Sequence, residues 1–222
     1  MPTHLTVQLK THKKPSSARW LRRQLNDPYV EKAHSAGYRG RAAFKIIELD
    51  SQFHFFKKNA VVVDLGAAPG GWSQVAVSKV GSTESSPSVF GLDLLEIQPL
   101  QGARFIQMDF LDDSAPQALC DLMKGKADIV MSDMAPNTTG QSQIDHLRIM
   151  ALVEAAYDFA KQILKPNGCF IAKIFQGGTE NKLITEIKKD FSVVKHAKPQ
   201  ASRKESKEFY IVAKGFIPQK DN

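Results

Sequence analysis

Seven short apolar runs follow Asn59, and the first five do not alternate with polar residues as a half-exposed strand would. The run Val61-Val62-Val63-Asp64-Leu65 is followed by runs at 89–93, 104–106, 128–133 and 168–175, with helical patterns at 72–79 and 145–164. An unalternated apolar strand is buried on both faces. With helices interposed, the pattern predicts an α/β fold with a mostly parallel sheet covered on both sides. The last two runs, 191–195 and 209–214, have no helical pattern between them and are expected to pair antiparallel at one edge. The long helix is expected to stop at Pro166-Asn167-Gly168, where proline and glycine cannot continue it. A chain of 222 residues suits one full core. Its apolar stretches fall well short of the roughly 20 residues that cross a bilayer.

Charge divides the chain. Residues 1–45 carry ten Lys/Arg against two acids, whereas the remaining 177 are one negative charge from neutral. A near-neutral body with a basic front suits a domain that holds a polyanion on a dedicated surface. Residues 1–16 read as a basic tail, 17–216 as one domain that begins with a helical arm, and 217–222 as a second tail. In the arm, Trp20 reads as an anchor. Short helices are expected from about Tyr29 to Gly37 and over 42–53. Cys120 and Cys169 offer no metal-ligand spacing and are expected to be reduced thiols in a cytosolic protein.

The first strand runs into Asp64-Leu65-Gly66-Ala67-Ala68-Pro69-Gly70-Gly71-Trp72-Ser73. Small residues at the carboxyl end of a central strand let the backbone turn tightly against a ligand. Ala68 stands where a dinucleotide loop needs its second glycine, and Gly71-Trp72-Ser73 lacks the lysine of a triphosphate loop. A ligand with a carboxylate, an amino group and a ribose, but no phosphate, fits better. Asp93, at the end of the next strand, can accept ribose hydroxyls, and Asp109 after the third can accept from a base amino group. An acid at a strand end can also be a turn or helix cap, the alternative that stays open above all for Asp109.

Four stretches, Asp64 to Gln74, Ser132-Asp133-Met134-Ala135-Pro136-Asn137, Ala172-Lys173-Ile174-Phe175-Gln176-Gly177 and the run from Ser202 to Tyr210, occur in order at successive strand ends. Together they resemble the FtsJ/RrmJ family of ribose 2′-O-methyltransferases, closest to the bacterial branch that acts on 23S ribosomal RNA. The resemblance spans about 17–216. It implies a Rossmann-like methyltransferase fold and S-adenosylmethionine as methyl donor. Gly70, Trp72, Asp93, Asp109 and Asp133 match the family's cofactor contacts, and Gly66 and Gly71 belong to the same turn.

Lys173 lies inside an otherwise apolar strand, where a lysine is costly without a partner. With Lys45, Asp133 and Glu208 it makes two cations and two carboxylates, which is either a plain ion-pair network or a catalytic cluster. The four match the family's Lys-Asp-Lys-Glu tetrad. That resemblance implies Lys173 as base or hydroxyl orienter, Asp133 as its orienter, and Lys45 and Glu208 as ribose-steering groups. Phosphates would be held by Arg19, Arg22, Arg23, Arg39, Arg41, Lys198, Arg203 and Lys204. The expected partner is 23S ribosomal RNA in the large subunit, with its target uridine in the peptidyl-transferase A-loop, for a cytoplasmic monomer with no membrane role. The alternatives are a transfer-RNA anticodon-loop or messenger-cap methyltransferase, a mitochondrial counterpart, and a non-catalytic ribosome-assembly factor.

Overall fold

The computed structural model describes residues 26–136, 140–177 and 180–219. Two helices, α1 (Pro28–Ser35) and α2 (Ala43–Phe53), precede the sheet. Then come β1 (Val62–Leu65), α3 (Gly71–Val80), β2 (Val89–Asp93), β3 (Ala103–Gln107), α4 (Ala115–Met123) and β4 (Ala127–Ser132). The remainder is α5 (Ser142–Ile163), β5 (Leu164–Phe175), α6 (Glu180–Asp190), β6 (Phe191–Ala197) and β7 (Glu208–Phe216). Pro28 occupies the first turn of α1, where its missing N–H costs nothing; Asp27 caps that helix by accepting from Tyr29 N.

One seven-stranded sheet has the order β3-β2-β1-β4-β5-β7-β6. β1 to β5 are parallel, and β7 runs antiparallel between β5 and β6, as the absence of a helix between the last two runs predicted. The strand order reverses between β1 and β4, which opens a crevice at their carboxyl ends. One face packs on α2 and α3 through Ile46, Leu49, Trp72, Val75, Met131 and Ile171. The opposite face packs on α4, α5 and α6 through Leu119, Val153, Ala160, Phe170 and Ile187.

The structure departs from or adds to the sequence reading in three places. Pro166-Asn167-Gly168 does not simply end the long helix. α5 passes directly into β5 at Leu164, and the register slips between Ala127 and Ile129, so the proline segment is accommodated as an irregularity in the strand. α4 and α6 have no counterpart in the sequence reading. At the start of the 217–222 segment, Ile217 N bonds to Asp190 O and Gln219 Nε2 donates to the Asp190 carboxylate. Among the described residues no helix is long and apolar enough to cross a membrane. The arm before residue 26, with Trp20, Arg19, Arg22 and Arg23, lies outside the described residues.

Candidate active site

Register assembles the charged cluster. Ser132 pairs with Ala172 in the parallel β4–β5 ladder, so Asp133, one residue on, comes beside Lys173. Lys173 pairs with Tyr210 across the antiparallel β5–β7 ladder, and directly opposed residues share a face of the sheet. Glu208, two residues earlier on β7, shares that face. Helix α2, packed on it, delivers Lys45.

The result is a continuous chain of contacts. Lys173 Nζ lies 3.0 Å from Asp133 Oδ1 and donates to the Asp133 carbonyl at 2.6 Å. Tyr210 OH donates to Asp133 Oδ1 at 2.8 Å and accepts from Lys45 Nζ at 3.0 Å. Lys45 Nζ meets Glu208 Oε1 at 2.7 Å. Burial alone would raise the Asp133 carboxyl. The Lys173 and Lys45 ammonium groups and the bonds from Lys173 and Tyr210 outweigh burial and hold it below the usual carboxylate range. Burial and the charges of Asp133 and Glu208 push the Tyr210 phenol well above its ordinary value, so it stays a hydroxyl that bridges the two halves. Sequence reasoning did not assign Tyr210 a site role. Its signal was its two-residue offset from Glu208 on a strand that faces Lys173.

Asp133 also lines a cavity of about 600 Å³, together with Gly66, Ala68, Asp93, Asp109, Met134, Arg148 and Leu152. This volume is in the range of small-molecule sites. Gly66, at φ +76°, permits a close approach, since a Cβ there would come 2.7 Å from Met134 Cγ and 3.0 Å from its Cα. Asp93 ties the cavity's walls by accepting from Ala68 N at 2.9 Å and Leu95 N at 2.8 Å. Asp109 accepts from Leu111 N, so it is a turn cap as well as a wall residue. Beneath the glycine turn, Asp64 is fully buried. Its Oδ2 accepts from Ser73 Oγ at 2.6 Å, and its Oδ1 has no hydrogen-bond partner among the described residues. Burial, opposed by the Ser73 bond, pushes the Asp64 carboxyl up to about 7.

The FtsJ-like methyltransferase family model matches residues 38–216, which carry the whole of this site. The chain belongs to that family. This FtsJ-like methyltransferase is 54% identical over 215 residues to the ribosomal RNA large subunit methyltransferase E of Azorhizobium caulinodans, covering 97% of this chain and 90% of the relative. It is 56% identical over 217 residues to the same-named protein of Paramagnetospirillum magneticum, covering 96% and 89%. A solved Plasmodium falciparum structure described as a ribosomal RNA methyltransferase superposes at a TM-score of 0.72 with 32% identity, over 82% of this chain and 100% of that one. The Rossmann-like domain takes S-adenosylmethionine as methyl donor. The cavity fits that molecule. Its wall sets the carboxylates Asp93, Asp109 and Asp133 beside Leu92, Leu95, Phe110 and Leu152, which suits a cationic donor that carries a ribose and an apolar ring face.

Not every expected cofactor residue lines the methyltransferase's cavity. Gly66, Asp93, Asp109 and Asp133 do; Gly70, Gly71 and Trp72 do not. The Trp72 indole is core: it is 3% exposed, donates to Ala42 O at 2.8 Å and packs at a tilt on Tyr210, supporting the cluster from below. A Cβ on Gly71 would meet Ala43 N at 3.5 Å, an ordinary contact where α3 packs beside α2. The expected phosphate contacts also separate. Arg41 pairs with Asp27 and donates to Ala201 O, Arg203 Nη2 lies 3.5 Å from Asp27 Oδ2, and both arginines border a second cavity of about 390 Å³ beside Lys45 and Glu208. Lys198 Nζ donates to Ser206 O at 2.6 Å and Lys204 O at 3.3 Å and thereby fastens the turn before β7. Lys204 is exposed. The Arg39 guanidinium bonds to three backbone carbonyls.

Proposed function

We propose that the chain methylates the ribose 2′-hydroxyl of a uridine in 23S ribosomal RNA, in the peptidyl-transferase A-loop of the large subunit, with Lys45, Asp133, Lys173 and Glu208 as its catalytic group. The observation that carries this reading is Asp133, which borders the cofactor cavity while it holds Lys173. A group there touches donor and acceptor at once.

S-adenosylmethionine supplies a methyl group activated by a sulfonium. Lys173 spends two of its N–H bonds on Asp133, which leaves its remaining tetrahedral position for the acceptor hydroxyl. Lys173 orients that hydroxyl, and with its third proton released to solvent it would take the hydroxyl proton as the ribose oxygen accepts the methyl group that the donor supplies. Asp133 fixes the amine and favours positive charge beside the cavity. Lys45, held by Glu208 and Tyr210, orients the ribose. Much of the rate gain is positional, since the oxygen must approach opposite the departing sulfur.

The ribosomal target is supported by the names of the bacterial relatives and by Arg41 and Arg203, which line the second cavity. Residues 17–216 work as one domain, a cytoplasmic monomer whose basic arm adds affinity for the RNA backbone. The test is incubation with labelled S-adenosylmethionine and separate pools of ribosomal subunits, free ribosomal RNA and transfer RNA, followed by mapping of ribose methylation. Label on a large-subunit uridine is the expected result. Label confined to transfer RNA overturns the substrate assignment, and an unlabelled set of pools overturns the reaction.

A further inference from the structure

Arg39 has the composition of a phosphate-binding residue and the contacts of something else. It lies in the 37–40 connection between α1 and α2, and its backbone N–H donates to Gln74 Oε1 at 2.7 Å while Gln74 Nε2 donates back to Gly37 O at 3.0 Å. The connection is thus bolted to the first turns of α3. From that anchor the guanidinium reaches two other loops. Nη1 donates to Pro69 O at 3.2 Å and Gln98 O at 2.7 Å, and Nη2 donates to Pro99 O at 2.6 Å. The fork lies so close to Gly70, at φ +107°, that a Cβ there would come 2.7 Å from Nη1 and 3.2 Å from Cδ.

These two loops are the ones Asp93 ties together through Ala68 N and Leu95 N, and the cavity wall between them includes Ala68, Asp93, Leu94 and Leu95. An anion gathers their N–H groups and a cation gathers their carbonyls. A planar fork is suited to holding several carbonyls at fixed angles, and a point-charge ammonium is not. The guanidinium also adds positive charge at the uncapped N-terminus of α3, where a carboxylate is favoured.

We propose that Arg39 is a positioning residue of the S-adenosylmethionine site, a clamp across the 66–70 and 94–99 loops, and not a contact to RNA phosphate. This rests on the cavity being the methyl-donor site, but one of its tests does not use the donor.

In unliganded protein, Arg39→Ala is expected to speed amide hydrogen exchange at 66–71 and 94–99 by tenfold or more, with α5 and β5 unchanged. Calorimetry is expected to show S-adenosylmethionine binding weakened on the order of tenfold. In turnover, the KM for the donor rises while kcat at saturating donor stays within twofold, a split that general loss of structure does not produce. Arg39→Lys, which keeps the charge and loses the fork, is expected to recover less than half of the affinity. Arg39→Gln provides the same measurements if the alanine protein does not fold. The slope of log RNA affinity against log salt is expected to match the parent in all three variants. Unchanged exchange and donor affinity, with a salt slope reduced by about one ion, would make Arg39 a phosphate contact and overturn the proposal.

Discussion

Lys173, 7% exposed inside an apolar strand, was legible as a residue that must have carboxylate partners, because its burial demanded them nearby. Tyr210 was not, since a tyrosine in a strand is what β-propensity and core packing already favour. In the structure its hydroxyl bridges the Lys45–Glu208 pair and the Asp133–Lys173 pair. Tyr210→Phe keeps the ring against Trp72 and removes the bridge. We expect about 1–2 kcal/mol lower stability by urea unfolding and roughly tenfold slower single-turnover transfer; a parental rate would reduce the hydroxyl to packing. Trp72, matched to the cofactor by the family resemblance, sends its indole into the core, where it donates to Ala42 O, so a cofactor role for this residue would fall to its backbone. Asp64 yields a pH prediction. Its folded value, about 7, is raised above the ordinary 3.8, so its contribution to stability is fully present below about pH 4 and is lost as pH rises through 7. Asp64→Asn cannot ionise. Between pH 5 and 8 its stability relative to the parent should therefore improve by on the order of 2 kcal/mol, read from urea midpoints at each pH; a pH-independent difference would show that Asp64 does not carry the raised value.

At the scale of elements, the parallel core was readable because strands buried on both faces lose their alternation, and the antiparallel edge because no helix separates the last two runs. Helix α6 was missed because its sequence is mostly charged and buries only Leu183, Ile184, Ile187 and Asp190. Helix α4, nine residues that open on Ala115-Pro116, presents too short a periodic pattern to stand out. Join and register explain why the site could be named but not assembled from sequence. The one-residue offset between Ser132↔Ala172 and the Asp133–Lys173 contact exists only once β4 and β5 have paired. β2 shows the same dependence from the cofactor side. A Cβ on Gly91 would come 2.8 Å from Phe105 Cδ1 and 2.9 Å from Ala67 Cβ, so strand and glycine loop touch through the absence of a side chain. Gly91→Ala should lower stability by about 1–3 kcal/mol and weaken S-adenosylmethionine binding as Ala67 is displaced. Calorimetry and thermal melts check both, and parental values in each would place slack where the structure has contact.

Over the whole molecule, chemistry and affinity occupy different parts of the chain. The basic excess lies in residues 1–45, whereas three of the four catalytic candidates come from the near-neutral body and only Lys45 from the front. α2 is therefore the element that joins the two, carrying Lys45 onto the sheet while the 37–40 connection before it grips the cofactor loops. The charge asymmetry was plain in the sequence; that Arg39, Arg41, Arg203 and Lys198 are already engaged within the fold was not, because composition counts charges and only packing shows what holds them. The central claim is that Lys173, held by Asp133 at the end of the cofactor cavity, handles the proton of the acceptor hydroxyl. The direct measurement is single-turnover methyl transfer by Lys173→Ala with donor and RNA both saturating, in protein whose circular dichroism matches the parent. Near-parental binding of both ligands is expected, with a rate lowered by roughly 10²-fold or more and poor rescue by Lys173→Arg, whose guanidinium cannot accept a proton. A near-parental rate in the folded alanine protein would contradict it and return Lys173 to a structural ion pair.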